Sequence, residues 1–164
     1  MDKAKAIALA SAVWIASIGW QSARADEVMD WNAVAAAALP AASPSVASRV
    51  MAAMHIAVHD AVNSIEPRDR PYGFSIPVHM RASKEAAAAA AAHGVLVAMV
   101  PAQKPAFDAA LAASLAKISE GRAKRDGIGA GRAVAQAVTT WIGSTGFDVQ
   151  LDAAAPLVLR SAAQ

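Results

Sequence analysis

Apolar residues recur along most of this chain at intervals of three and four, and nowhere alternate for the length of a strand, so the pattern predicts helices. Asp30 can cap a short helix over Trp31 to Leu39, which Pro40 stops. Ser43-Pro44 pairs a capping hydroxyl with proline at the first helical position. The helix it opens runs to about Ile65, where Glu66-Pro67 ends it, and Val46, Val50, Met54, Val58, Ala61, Val62 and Ile65 form one stripe. From Pro67 to Ala82 three prolines and a glycine predict an extended loop. Ser83 caps a third helix, with Glu85 in its first turn; seven alanines, Ala86 to Ala92, lead to His93 and on to Pro101. Pro105 opens a fourth helix carrying Phe107, Leu111, Leu115 and Ile118, which Gly121 ends. A fifth begins near Lys124 or Asp126 and carries Ile128, Val134, Val138, Trp141 and Ile142. The expected fold class is all-α: four main helices in a bundle-like fragment, preceded by a short N-terminal one.

The two ends differ from this body. Lys3 and Lys5, then an uncharged run from Ala6 to Trp20, then Ala23-Arg24-Ala25, follow the layout of a secretory signal. The run is shorter than the ~20 residues a spanning helix needs. The expected division is a signal peptide over 1–25, a helical domain over 26–142 and an irregular tail over 143–164, with a periplasmic or secreted product and no stable membrane anchor after cleavage.

Composition sharpens the picture in two ways. Of the 164 residues 46 are alanine, the best helix former, and aromatics are 5%. There is no cysteine, which excludes a disulfide scaffold and is compatible with an oxidising compartment. The net charge of +2 comes from the first 25 residues, where Lys3, Lys5 and Arg24 face only Asp2; the rest balances at 12 of each sign. A neutral body offers no electrostatic case for nucleic acid or anionic lipid.

Candidate chemistry is sparse. His55 and His59 stand one helical turn apart, a spacing that can chelate a metal, but Ile56 holds the position where the zincin pattern has glutamate, and no third ligand is evident. The expectation is a structural pair with no functional metal; a small metal-binding protein built on these two is the less favoured reading. Asp60, Asn63 and Glu66 are placed to bond loop backbone or Arg68 and Arg70. Gly127-Ile128-Gly129-Ala130-Gly131 lacks the strand and the third glycine of a dinucleotide fingerprint, since Arg132 holds that place; glycines four apart instead allow close helix contact. No serine has a base placed by sequence.

Asp30-Trp31-Asn32-Ala33, the block from Ala47-Ser48-Arg49 through His55-Ile56-Ala57-Val58-His59-Asp60 to Glu66-Pro67, and Arg70-Pro71-Tyr72 form a distinctive series. It resembles the N-terminal helical region of bacterial exported proteins of the vanadium-dependent haloperoxidase and type-2 phosphatidic-acid phosphatase superfamily. Ala91-Ala92-His93-Gly94-Val95, Leu111-Ala112-Ala113-Ser114-Leu115 and Gly131-Arg132-Ala133-Val134 are similar too, so the resemblance covers roughly residues 26 to 142. It implies a parent activity of peroxide-dependent halide oxidation or phosphate-ester hydrolysis, at an anion site that holds vanadate or phosphate. That site uses a Lys with Arg-Pro, a Pro-Ser-Gly-His and a Ser-Arg…His motif further along the chain. This sequence has no Ser-Gly-His, and Arg70-Pro71, its single Arg-Pro, has no lysine at the family spacing. The resemblance therefore carries over no catalytic, cofactor or metal residue; vanadate is implied only for a full-length member.

The expectation is a non-catalytic front portion of such a protein, with a stand-alone periplasmic interaction module as the alternative. Because so much of its core is alanine, the chain is expected to leave the stripes around Val50, Met54 and Val58, and around Leu111, Leu115 and Ile118, partly exposed. Its expected partner is then the absent catalytic helical domain or a second copy of itself.

Overall fold

The computed structural model describes residues 26–39 and 42–145. Five α-helices follow one another: α1 (Asp26–Ala38), α2 (Pro44–Ile65), α3 (Lys84–Met99), α4 (Lys104–Ala116) and α5 (Arg122–Ser144), with a 3₁₀ turn at Pro101–Gln103 before α4. No strand occurs among the described residues, and the fold is all-α. None of the described helices is long and apolar enough to cross a membrane.

Two helix starts are built as their sequences dictate. Ser43 Oγ accepts the Val46 N–H at 3.4 Å, with Pro44 behind it at the first helical position. Ser83 Oγ accepts the Ala86 N–H at 3.1 Å and donates to Glu85 at 2.9 Å. At its far end α2 stops where the Glu66 N–H takes the Val62 carbonyl at 3.1 Å, and Pro67 follows.

Helix α3 is the centre, in contact with every other helix. All seven alanines from Ala86 to Ala92 are buried, as are Val95 and Leu96. A helix apolar on every side belongs in an interior, and methyl-sized side chains let its neighbours come close. Helix α5 uses that closeness. A Cβ added at Gly131 would stand 2.8 Å from Ala90 Cβ and collide with the Ala87 carbonyl; one at Gly127 would collide with the Ser83 carbonyl. A Cβ at Gly94 would lie 2.6 Å from Ala135 Cβ. These pairings advance together along both chains, so α3 and α5 run parallel. Gly127 and Gly131 serve close packing, as their spacing predicts.

The larger core residues fill the margins of this contact: Trp31, Phe107, Met54, Leu96, Val134 and Val138 are all but fully buried. Trp31 fastens α1, donating from Nε1 to Glu27 at 2.9 Å and meeting the His93 ring edge-on at 6.4 Å.

Several boundaries differ from expectation. Helix α1 begins at Asp26, a turn before Asp30, and Glu27 in its first turn suits the positive end of the helix dipole and accepts from Trp31 one turn on. Asp30 is therefore no cap; it is an interior helical residue paired with Lys117 at 2.9 Å. Gly121 does not end α4, which stops at Ala116. It precedes α5 with φ 154° and ψ −173°, a conformation open essentially to glycine alone. Helix α5 starts at Arg122 and continues through Gly143 to Ser144, so the tail begins later than expected. Residues 146–164 and the signal-like segment 1–25 lie outside the described residues.

The expected exposure of α2 is corrected. Val50, Met54 and Val58 are 3%, 0% and 4% exposed, because α3 and α5 both pack against α2 and supply the surface that an alanine-rich chain seemed to lack. By contrast Leu111 and Leu115 on α4, and Ile118 just beyond its end, stay partly exposed, while Phe107 is buried.

Candidate functional site

The polar residues that sequence singled out gather at the C-terminal half of α2, where the 67–82 loop folds back over the helix. Asp60 is wholly buried. Its carboxylate accepts the N–H groups of Tyr72 at 2.7 Å, Gly73 at 2.9 Å and Phe74 at 2.8 Å. Asn63 accepts the Arg68 and Asp69 N–H groups, both at 3.0 Å, and donates to the Asp69 carbonyl at 2.7 Å. Ser64 donates to the Asp60 carbonyl and accepts the Ile76 N–H at 3.2 Å. Three side chains near the end of α2 thus satisfy six N–H groups and one C=O group of a loop that forms no ladder of its own, which its backbone otherwise could not afford near a core.

The two histidines do not converge. His55 Nε2 lies 3.1 Å from Asn32 Oδ1, and His59 Nε2 lies 3.4 Å from the Arg70 carbonyl. Each ring thus braces a different neighbour, α1 in one case and the loop in the other. Among the described residues no three His, Cys, Asp or Glu side chains are grouped so as to hold a metal. Beside the histidines runs an open cleft of about 410 Å³ with Val28, Val58 and Val62 on its walls and Arg68 and Asp69 at one side. The cleft has room for a small apolar group, and no nucleophile with a paired base faces it.

Sequence reading missed a second cluster. His93 Nε2 lies 2.8 Å from Asp108 Oδ1, and Lys104 holds the other oxygen of that carboxylate. The Lys104–Asp108 spacing of four is legible in a helix; the histidine joins only because the Pro101–Gln103 turn folds α4 back along α3. Lys124, 7% exposed, reaches back to the Ile118 carbonyl at 3.2 Å and to Glu120, tying the α4–α5 connection.

Two carboxylates carry shifted acidities. Hydrogen bonds from Lys84, then Arg68, hold Glu66 below its ordinary 4.5, and hydrogen bonds from Lys104, then His93, hold Asp108 below its ordinary 3.8. Depressed folded values mean that both groups stabilise the fold fully above the ordinary carboxylate range and lose that contribution as pH falls through it to the lowered values. The urea midpoint should therefore drop as the pH falls through and below the ordinary carboxylate range, and a Glu66→Gln/Asp108→Asn double variant should flatten that acid limb. An unchanged limb in the double variant would show that other groups set it.

Comparison with protein-family models, with curated proteins and with solved structures finds no match to this chain.

Proposed function

We propose that the five helices are a non-catalytic packing portion of an exported protein of the haloperoxidase and phosphatase kind, whose anion-binding helices belong to a longer parent. The observation that carries this reading is the use made of Asp60, Asn63 and Ser64: the polar side chains of α2 hold loop backbone rather than face an open site. The stretch of resemblance, residues 26 to 142, also coincides with the unit from α1 to α5. In this reading the polar block that carries the resemblance is a folding signature, and catalysis rests on the Ser-Gly-His and Arg-Pro motifs of the parent. Stabilising an oxyanion requires several donors converging on one point.

The chain is expected to give no turnover with bromide, hydrogen peroxide and orthovanadate, and none with p-nitrophenyl phosphate. The reading frames downstream of its gene are expected to encode the two motifs. Turnover by the purified chain, or an unrelated downstream region, would overturn the reading.

A second reading, a periplasmic interaction module, draws on α4. Ala106, Ala109, Ala113 and Ala116 are exposed along its outer side, with Leu111 and Leu115 half-buried beside them. This face would meet either the parent's catalytic helices or another copy of the chain. Sedimentation that shows a monomer throughout the micromolar range would count against the second copy.

A further inference from the structure

The neutral charge balance of the chain conceals a one-sided distribution. Helix α5 buries Lys124, Gly127, Gly131, Val134 and Val138 on one side, and turns Arg122, Arg125 and Arg132 to the other. The turn before α3 lies beside this face. Its ends are closed by the Ala82 N–H on the His79 carbonyl at 2.9 Å, and the Ser83 N–H takes the Ala123 carbonyl at 2.9 Å, which fastens the turn to the first turn of α5. Met80 and Arg81 occupy the two central positions of that turn and point outward. His79, Arg81, Arg122 and Asp126 line a shallow pocket of about 290 Å³ between the turn and α5.

The charges on this surface are unequal. Asp126 is the acid of the pocket, and it already pairs with Arg122 at 3.3 Å. Arg81, Arg125 and Arg132 have no acidic partner among the described residues. Next to Arg81 in the turn, Met80 is 80% exposed, the most exposed large apolar side chain of the described residues. An apolar residue at the tip of a turn, with Arg81 beside it, gains nothing against a phosphodiester backbone in water. At a lipid surface it can enter the headgroup layer while the arginines meet phosphates.

We propose that this face, formed by the 79–82 turn and the outer side of α5, docks reversibly on an anionic membrane surface, with Arg81, Arg125 and Arg132 contacting lipid phosphates and Met80 inserting between headgroups. The surface recognises phosphate by charge and adds one apolar contact, so binding is salt-sensitive and peripheral.

The test is co-sedimentation of the full chain with vesicles of equal parts phosphatidylglycerol and phosphatidylcholine, against vesicles of phosphatidylcholine alone. Association through residues 1–25, where Lys3, Lys5 and Arg24 also favour anionic lipid, would persist in variants of Met80 and the three arginines, whereas docking by this face is lost with them. At about fivefold per arginine, R81Q/R125Q/R132Q should weaken binding about a hundredfold. Met80→Ser should weaken it several-fold on the same vesicles, and raising the salt severalfold should release the wild type. All four positions are exposed, so circular dichroism should find the variants folded. Equal binding to neutral vesicles, undiminished binding by the triple variant, or tighter binding to a DNA duplex with no effect of Met80→Ser would overturn the proposal.

Discussion

Gly131→Ala is expected to destabilise the protein by about 3 kcal/mol, at the upper end of what one added methyl costs in a packed core, while Gly129→Ala, two residues away, stabilises it. The added Cβ at Gly131 meets the Ala87 carbonyl and the Ala90 methyl group, which stands 2.8 Å off. Both belong to α3, whose position is set by contacts on all sides, so neither can retreat without moving the central helix. Nothing lies within 4 Å of a Cβ at Gly129, which sits on the outer side of α5. There the substitution removes only glycine's backbone freedom, and a gain of about 0.5–1 kcal/mol follows. Urea denaturation of the two variants checks the contrast. Equal effects at both positions would mean that α3 and α5 do not approach as closely as their glycines indicate.

Asp60→Ala is expected to cost more, on the order of 4 kcal/mol, since it strips the acceptor from three N–H groups at once and each buried orphan costs about 1–3 kcal/mol. Water reaching the opened loop returns part of that cost, which keeps the figure below the simple sum. The damage should be local before it is global. Amide exchange at Tyr72, Gly73 and Phe74 should rise by orders of magnitude, while the amides of α3 slow or quicken only with overall stability. Asp60→Asn retains one acceptor oxygen but points an NH₂ group at backbone donors, so it should rescue only a minor part. Retained protection at these three amides in Asp60→Ala would show that the loop is held by other contacts.

Much of the helical layout was legible because its signals are local. Ser43-Pro44 and Ser83 satisfy N–H groups within three residues of themselves, and Pro67 and Pro101 end helices through their own rings. The stripe from Val50 to Ile65 reports its buried side through a period that any isolated helix would share. The close-contact role of Gly127 and Gly131 was readable for the same reason, as small residues one turn apart. Where expectation slipped, the deciding partner was not nearby in the sequence or two local signals competed. Asp30 is a good cap by type, but Glu27 and Trp31 extend the helix past it. Gly121 is a good terminator by type, but α4 had already ended, and its unusual φ serves the next helix.

Sequence alone thus determined that the chain forms helices, roughly where they start and stop, and that Asp60 and Asn63 serve the following loop, because capping, proline geometry and helical period act within a few residues. Only the tertiary structure decided that the alanine run is the centre of the molecule, that α5 lies parallel to it, that Val50, Met54 and Val58 are covered, that His93 meets Asp108, and that Arg81 and Arg122, distant in sequence, line one pocket. An alanine run has no preferred side, since its hydrophobicity is equal all round; which neighbours surround it depends on how far each can approach, and that is a property of the assembled helices. Charge behaves in the same way: a sequence sums it, whereas packing sorts it into faces, and a neutral total is compatible with a strongly one-sided surface.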